Sequence, residues 1–216
     1  VERSRGLGDV YKRQELDTSG NCLSYEYNQQ GLLQSLHSSS GVSVEFVYDT
    51  PALGHVRLVQ VQPLGQPDQA WVRYQYDAHG DLSVVHDAEG CPVRRFGYRN
   101  HMMVWHSDAA GATSHYEWDR YEPEGRVIRQ WVDGGLELHH RYGEPQADQR
   151  YEVSVTDQFG RTERYQCNPE KLVERYTDAL GNSSHLVWMP KTQRLLKHTL
   201  HGEPADGAHY AFKYNE

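Results

Sequence analysis

Thirteen histidines and thirty carboxylates are the side chains of this 216-residue sequence that could bind a metal or move a proton. Their spacing argues against both. His139 and His140 are adjacent, so on a strand they point to opposite faces and cannot grip one ion together. There is no His-Glu-x-x-His motif, and no His-x-His beside a carboxylate. Asp77, Asp87, Asp119, Asp157 and Asp178 recur at equivalent points of successive segments, whereas a catalytic dyad would occur once. An aspartate that bonds its own backbone two residues on is a turn former, and that is the expected role here. Ser38-Ser39-Ser40-Gly41 lacks the strand–elbow–helix setting of a hydrolase nucleophile. Gly80 and the Gly134-Gly135 pair precede no helix that could cradle a phosphate. Cys22, Cys91 and Cys167 read as isolated thiols, neither a disulfide framework nor a zinc site. The expectation is no catalytic residue, no metal and no cofactor. The remaining chemistry is that of aromatic rings: Trp71 and Trp118 could stack on the apolar faces of sugars, which keeps a surface adhesin binding carbohydrate as the alternative function.

Composition narrows the partners. Net charge is −8 and no Lys/Arg run exceeds Arg94-Arg95, so the basic face that nucleic acid or an anionic membrane surface needs is not expected. The apolar run Leu186-Val187-Trp188-Met189 is far too short to span a bilayer. Mean hydropathy is −0.83, yet there are 15 Tyr and 5 Trp, a content that argues against disorder and for half-wet surfaces.

The elements that hold these residues form a repeat. The template is aromatic, any residue, aromatic, Asp or Asn, a glycine turn, an aliphatic strand and Asp-x-x-Gly. Tyr74-Gln75-Tyr76-Asp77-Ala78-His79-Gly80-Asp81-Leu82, continuing to Asp87-Ala88-Glu89-Gly90, is the clearest copy. Tyr25-Glu26-Tyr27-Asn28 with Gly31, Phe46-Val47-Tyr48-Asp49, Phe96-Gly97-Tyr98-Arg99 and Tyr116-Glu117-Trp118-Asp119 are others. Weaker copies lie at Tyr142, Cys167, Trp188 and Phe212, and Asp157–Gly160 and Asp178–Gly181 repeat the second turn. Anchors 27, 48, 76, 98, 118, 142, 167, 188 and 212 are 20 to 28 residues apart.

Aromatics two apart share one face of a strand, and Asp with Gly three residues on makes a tight turn. Two strands and two turns per repeat spell an antiparallel meander, with no sustained helical period. The fold class is all-β. A sandwich needs more aliphatic residues, and a propeller blade needs about 40 residues per repeat. A curling single-layer sheet, wetted on both faces and held by cross-strand aromatic pairs, fits best.

The ordered series of Y-x-Y-D-x-x-G-x-L and D-x-x-G resembles the YD repeat of the Rhs (rearrangement hot spot) family. The stretches Phe96–Met102, Tyr116–Asp119, Gly125-Arg126-Val127 and Trp131–Gly135 look like bacterial Rhs-element polymorphic toxins in particular. The resemblance covers roughly residues 20–216. It implies a β-shell that encloses a variable C-terminal toxin domain, made by a bacterium and exported as part of a larger protein, in some cases through a type VI secretion spike. The remaining repeats and that toxin domain would be the partners of this segment. The family's Asp-Pro-x-Gly-Leu core motif is not found here, so shell alone is expected, with residues 15–216 forming about nine degenerate repeats. Residues 4–14 look like a translated sequencing adapter, and residues 1–14 are set apart as an artefact or disordered tail.

Overall fold

The computed structural model describes residues 14–50, 56–200 and 209–214. The suspected adapter falls outside them, except that Gln14 is already the first residue of β1 and pairs with Ser24.

The described residues hold eighteen strands and no helix. They divide into two compact bodies, Val1–His101 with His106–Gly111, and Met102–Trp105 with Ala112–Glu216. The first body holds β1 (Gln14–Leu16), β2 (Cys22–Tyr27), β3 (Leu33–Ser38), β4 (Ser43–Asp49), β5 (Arg57–Pro63), β6 (Val72–Tyr76), β7 (Leu82–His86) and β8 (Pro92–Arg99). β9 (Met102–Asp108) has residues in both. The second holds β10 (Thr113–Trp118), β11 (Val127–Val132), β12 (Glu137–Tyr142), β13 (Tyr151–Asp157), β14 (Thr162–Cys167), β15 (Val173–Thr177), β16 (Ser183–Trp188), β17 (Leu195–Thr199) and β18 (His209–Ala211). Within each body every strand pairs antiparallel with its neighbours in sequence and touches no other strand. That is a single-layer meander; among the described residues of either body nothing stacks a second sheet.

Pairing sorts side chains onto two unlike faces, because residues opposite each other across a ladder project to the same side. In the first body Tyr25, Leu36, Val44 and Pro63 form a row on one face and Glu26, Ser35, Glu45 and Gln62 a row on the other. In the second, Tyr142, Val153, Tyr165, Tyr176 and Ser184 line the first kind of face, and Arg141, Ser154, Arg164, Thr177 and Ser183 the second. Each sheet thus has an apolar, tyrosine-bearing side and a hydroxylic, charged side. Among the described residues only Val44, Ala70 and Cys167 are buried apolar side chains. Stability must therefore reside in ladders, turns and side-chain-to-backbone bonds.

One physical expectation changes. Aromatic pairs across neighbouring strands do occur: Tyr165 and Tyr176 lie 5.1 Å apart in a tilted arrangement, and His115 stacks on Trp131 at 4.9 Å. With one aromatic pair per two strands, equivalent rings stand about two strand spacings, ~10 Å, apart. At that spacing the anchor rings make a different bond.

Candidate functional site

The recurrent structure is a joint between repeats, built from a capped turn, a bulge and an aromatic latch.

Asp77 shows the turn. Its Oδ1 accepts the N–H groups of His79 (2.8 Å) and Asp81 (3.0 Å), and its carbonyl accepts the N–H of Gly80 (3.1 Å). Gly80 has φ +89°, a region in which a Cβ is strained. Asp157 and Asp178 hold the same bonds, to Phe159 and Arg161 and to Leu180 and Asn182, with Gly160 and Gly181 at positive φ. Asp87 bonds the N–H of Cys91 and that of Gly90, and Asn28 caps Gln30, Leu32 and Gly31 with an amide in place of a carboxylate. Asp119 reaches over a longer loop to the N–H of Arg126. Asp49 instead stands opposite Arg57, 3.4 Å from its guanidinium. Sequence reading passed over three further turns of this kind, at Asp17–Gly20, Ser38–Gly41 and Asp108–Gly111. The D-x-x-G spacing of the first and third was visible.

The bulge comes next. Pairing slips one residue just before Tyr27, Tyr48, Tyr76, Trp118, Cys167 and Trp188, each the last residue of its strand except Tyr48, which is the last but one. Across the slip these residues face Leu33, Leu58, Leu82, Val127, Val173 and Leu195. A bulge bends the strand and ends regular pairing. As a result the ladders β3–β4, β5–β6, β11–β12 and β15–β16 stop short of their open ends.

The aromatic tip of the following strand closes that opening. Tyr48 donates its hydroxyl to the carbonyl of Leu33 (2.8 Å), Tyr76 to Leu58 (2.7 Å), Tyr142 to Val127 (3.0 Å) and Tyr214 to Leu195 (2.8 Å). The indoles do likewise: Trp118 Nε1 donates to Met103 (2.8 Å) and Trp188 Nε1 to Val173 (2.7 Å). In three joints the residue before the accepting carbonyl is an arginine lying over the latching ring: Arg57 over Tyr76, Arg126 over Tyr142 and Arg194 over Tyr214, at 4.8 to 5.2 Å. Burial pushes the Tyr48, Tyr76, Tyr98 and Tyr142 phenols above their ordinary value, which keeps the latching ones protonated and able to donate. The last anchor is Tyr214, two residues beyond Phe212, the position that spacing alone selects; Phe212 has no polar tip.

Cys167 takes the anchor position of its repeat. It is 6% exposed, faces Tyr151, and burial raises its thiol. His139 and His140 lie on opposite faces: His139 bonds Glu137 (2.8 Å), and His140 is opposite Val155. Among the described residues no three His, Cys, Asp or Glu stand close enough to hold a metal ion, and no helix is long and apolar enough to cross a membrane. Trp71 is 44% exposed, while the indole N–H of Trp118 is used by its latch.

A single-layer antiparallel meander with six aromatic latches among the described residues defines the molecule as a β-repeat sheet protein. No family model matches the sequence. Toxin protein Tse5 of Pseudomonas aeruginosa is 34% identical over 177 residues, covering 74% of this chain and 13% of that protein. Double-stranded DNA deaminase toxin A of Burkholderia cenocepacia is 32% identical over 128 residues, covering 58% of this chain and 9% of that protein. In fold, the chain is similar to the crystal structure of TcdB2–TccC3, with a TM-score of 0.53 at 12% identity over 94% of this chain and 12% of that one. The form without its hypervariable C-terminal region gives 0.51 at 13% identity, over 90% of this chain and 11% of that one. The chain is an Rhs/YD-repeat sequence of the bacterial polymorphic-toxin type, and it spans only a small part of the length of its curated relatives.

Proposed function

We propose that this segment is a non-catalytic stretch of a β-shell that encloses a C-terminal toxin domain of a larger exported protein. The observation that supports it most is the joint. Recurring polar groups, among them the carboxylates of Asp77, Asp157 and Asp178 and the tips of Tyr48 and Tyr76, are bonded to backbone within the sheet. Such groups extend a wall repeat by repeat. The repeat residues Tyr27, Asn28, Tyr76, Asp77, Gly80, Trp118, Asp119, Asp178 and Gly181 are, on this reading, structural. The remaining repeats and the enclosed domain are its partners, with a secretion-system spike as the docking partner of the whole protein.

The test is limited proteolysis of the full-length parent. In the intact protein the terminal domain is expected to survive protease that digests the same domain expressed alone. Substituting two consecutive latches, Tyr142→Phe with Trp188→Phe, is expected to make it cleavable. A terminal domain equally cleavable in the intact parent would overturn the enclosing role.

A further inference from the structure

On the apolar face of the second body lies a groove of about 730 Å³ between β12, β13 and β14 and the turn that follows β15. Leu138, Val155 and Tyr165 line its floor, and Leu136 and Leu180 its rim. The rim is more exposed than apolar side chains at turn tips need be: Leu180 is 89% exposed, and Phe159, on the adjacent tip along the same sheet edge, is 73% exposed. Exposed apolar groups gathered beside a groove mark an interaction site more often than isolated ones do.

The polar groups of the groove are acidic. Asp157, Glu163 and Asp178 line it, and the single lining guanidinium, Arg161, is neutralised by Asp157 at 2.6 Å. His140 Nε2, within the same lining, is shut off from solvent and bonded to nothing. Burial also lowers the His140 pKa, so this imidazole is neutral and adds no positive charge. The surface therefore combines apolar contact with carboxylates that lack a surplus cation.

We propose that this groove is the docking site for a polypeptide segment presenting aliphatic or aromatic side chains beside lysine or arginine. The apolar side chains would cover Leu180, Phe159 and the groove floor, and the cation would meet Glu163 and Asp178. The inference goes beyond the shell reading and stands whether or not that reading holds.

The full 216-residue chain would be titrated into a fluorescein-labelled, amidated peptide of alternating leucine and lysine, followed by anisotropy. Leu180→Glu and Phe159→Ser change exposed tips and leave the ladders intact, so both variants should fold. Each is expected to weaken binding by about tenfold or more, as loss of an anchor does. Leu64→Glu, at an exposed tip of the first body, should leave it unchanged. A peptide with glutamate in place of lysine should bind at least about tenfold more weakly. Equal binding by Leu180→Glu, equal loss in Leu64→Glu, or equal affinity for the glutamate peptide would each overturn the proposal. So would sedimentation showing that the unmodified chain self-associates through this edge and that Leu180→Glu abolishes it, since the occupant would then be a second copy.

Discussion

Trp188 donates its indole N–H to the carbonyl of Val173 at 2.7 Å, and Val173 is the residue that faces Cys167 across the bulge of the repeat before. This latch thus ties the end of one repeat to the irregularity that ended the previous one. The same relation joins Tyr48 to Leu33, opposite Tyr27, and Tyr76 to Leu58, opposite Tyr48. A bulge alone would leave a carbonyl at a frayed hairpin end. A bulge followed by a phenol or indole places a donor where one is wanted.

Tyr76→Phe keeps the ring under Arg57 and removes only the hydroxyl. It should cost about 1 kcal/mol, the net value of a typical intramolecular hydrogen bond. The loss should appear as faster hydrogen exchange at the amides of β5 and β6. Tyr74→Phe, in the same strand, should leave those rates unchanged. Equal exchange in the two variants would show that the latch contributes nothing.

Six described residues other than glycine lie in the left-handed region, and two of them stand where other turns carry glycine: Lys171 at φ +65°, bonded back to Asn168, and Gln149 at φ +65°, bonded back to Gln146. Such backbone costs an L-residue roughly 1–2 kcal/mol. Lys171→Gly should therefore stabilise the second body, by less than that amount because glycine loses more chain entropy on folding. Gly160→Ala, at φ +81°, should destabilise it. Urea midpoints that move in the same direction for both would refute this account.

The turn carboxylates make the fold acid-sensitive. The Asn182 side chain, followed by backbone N–H groups, holds Asp178 below its ordinary value of 3.8, and Asn21 does the same for Asp17. A depressed folded value means that the stabilisation is present above the unfolded pKa and is lost as pH falls through the folded one. Asp178→Asn, which copies the cap already used at Asn28 and Asn168, should keep the turn at pH 7 and flatten the acid limb of a stability–pH curve. Asp178→Ala should lower stability at neutral pH as well.

His101 has the opposite sign. Asp81, hydrogen-bonded at 2.9 Å, raises it above 6.5, so its contribution is complete below the unfolded value and disappears as pH rises through the folded one. NMR titration should place His101 above 6.5, and Asp81→Asn should bring it back down. An unmoved His101 titration in Asp81→Asn would dismiss the pair.

The all-β class, the Asp-x-x-Gly turns and the repeat length could be read from residues alone because each depends on interactions that close within about five positions. Asp77 with Gly80, or Asp178 with Gly181, carries its own hydrogen-bonding instruction. The Asp17 and Asp108 turns obey the same spacing but lie outside the aromatic series, so the repeat template did not reach them. Lys171 gives no local sign that it occupies the place of a glycine.

What only the tertiary structure decided is how the aromatics act. Spacing shows that Tyr48 and Tyr76 are equivalent; it does not show that their hydroxyls reach carbonyls 15 and 18 residues back. That reach depends on where the ladder slips and which hairpin end opens, and both are properties of register between strands. The same dependence makes Tyr214 the final anchor and gives the sheet one apolar and one polar side. Periodicity within a strand is written in the chain, while contact between repeats exists only once neighbouring strands have chosen their pairing.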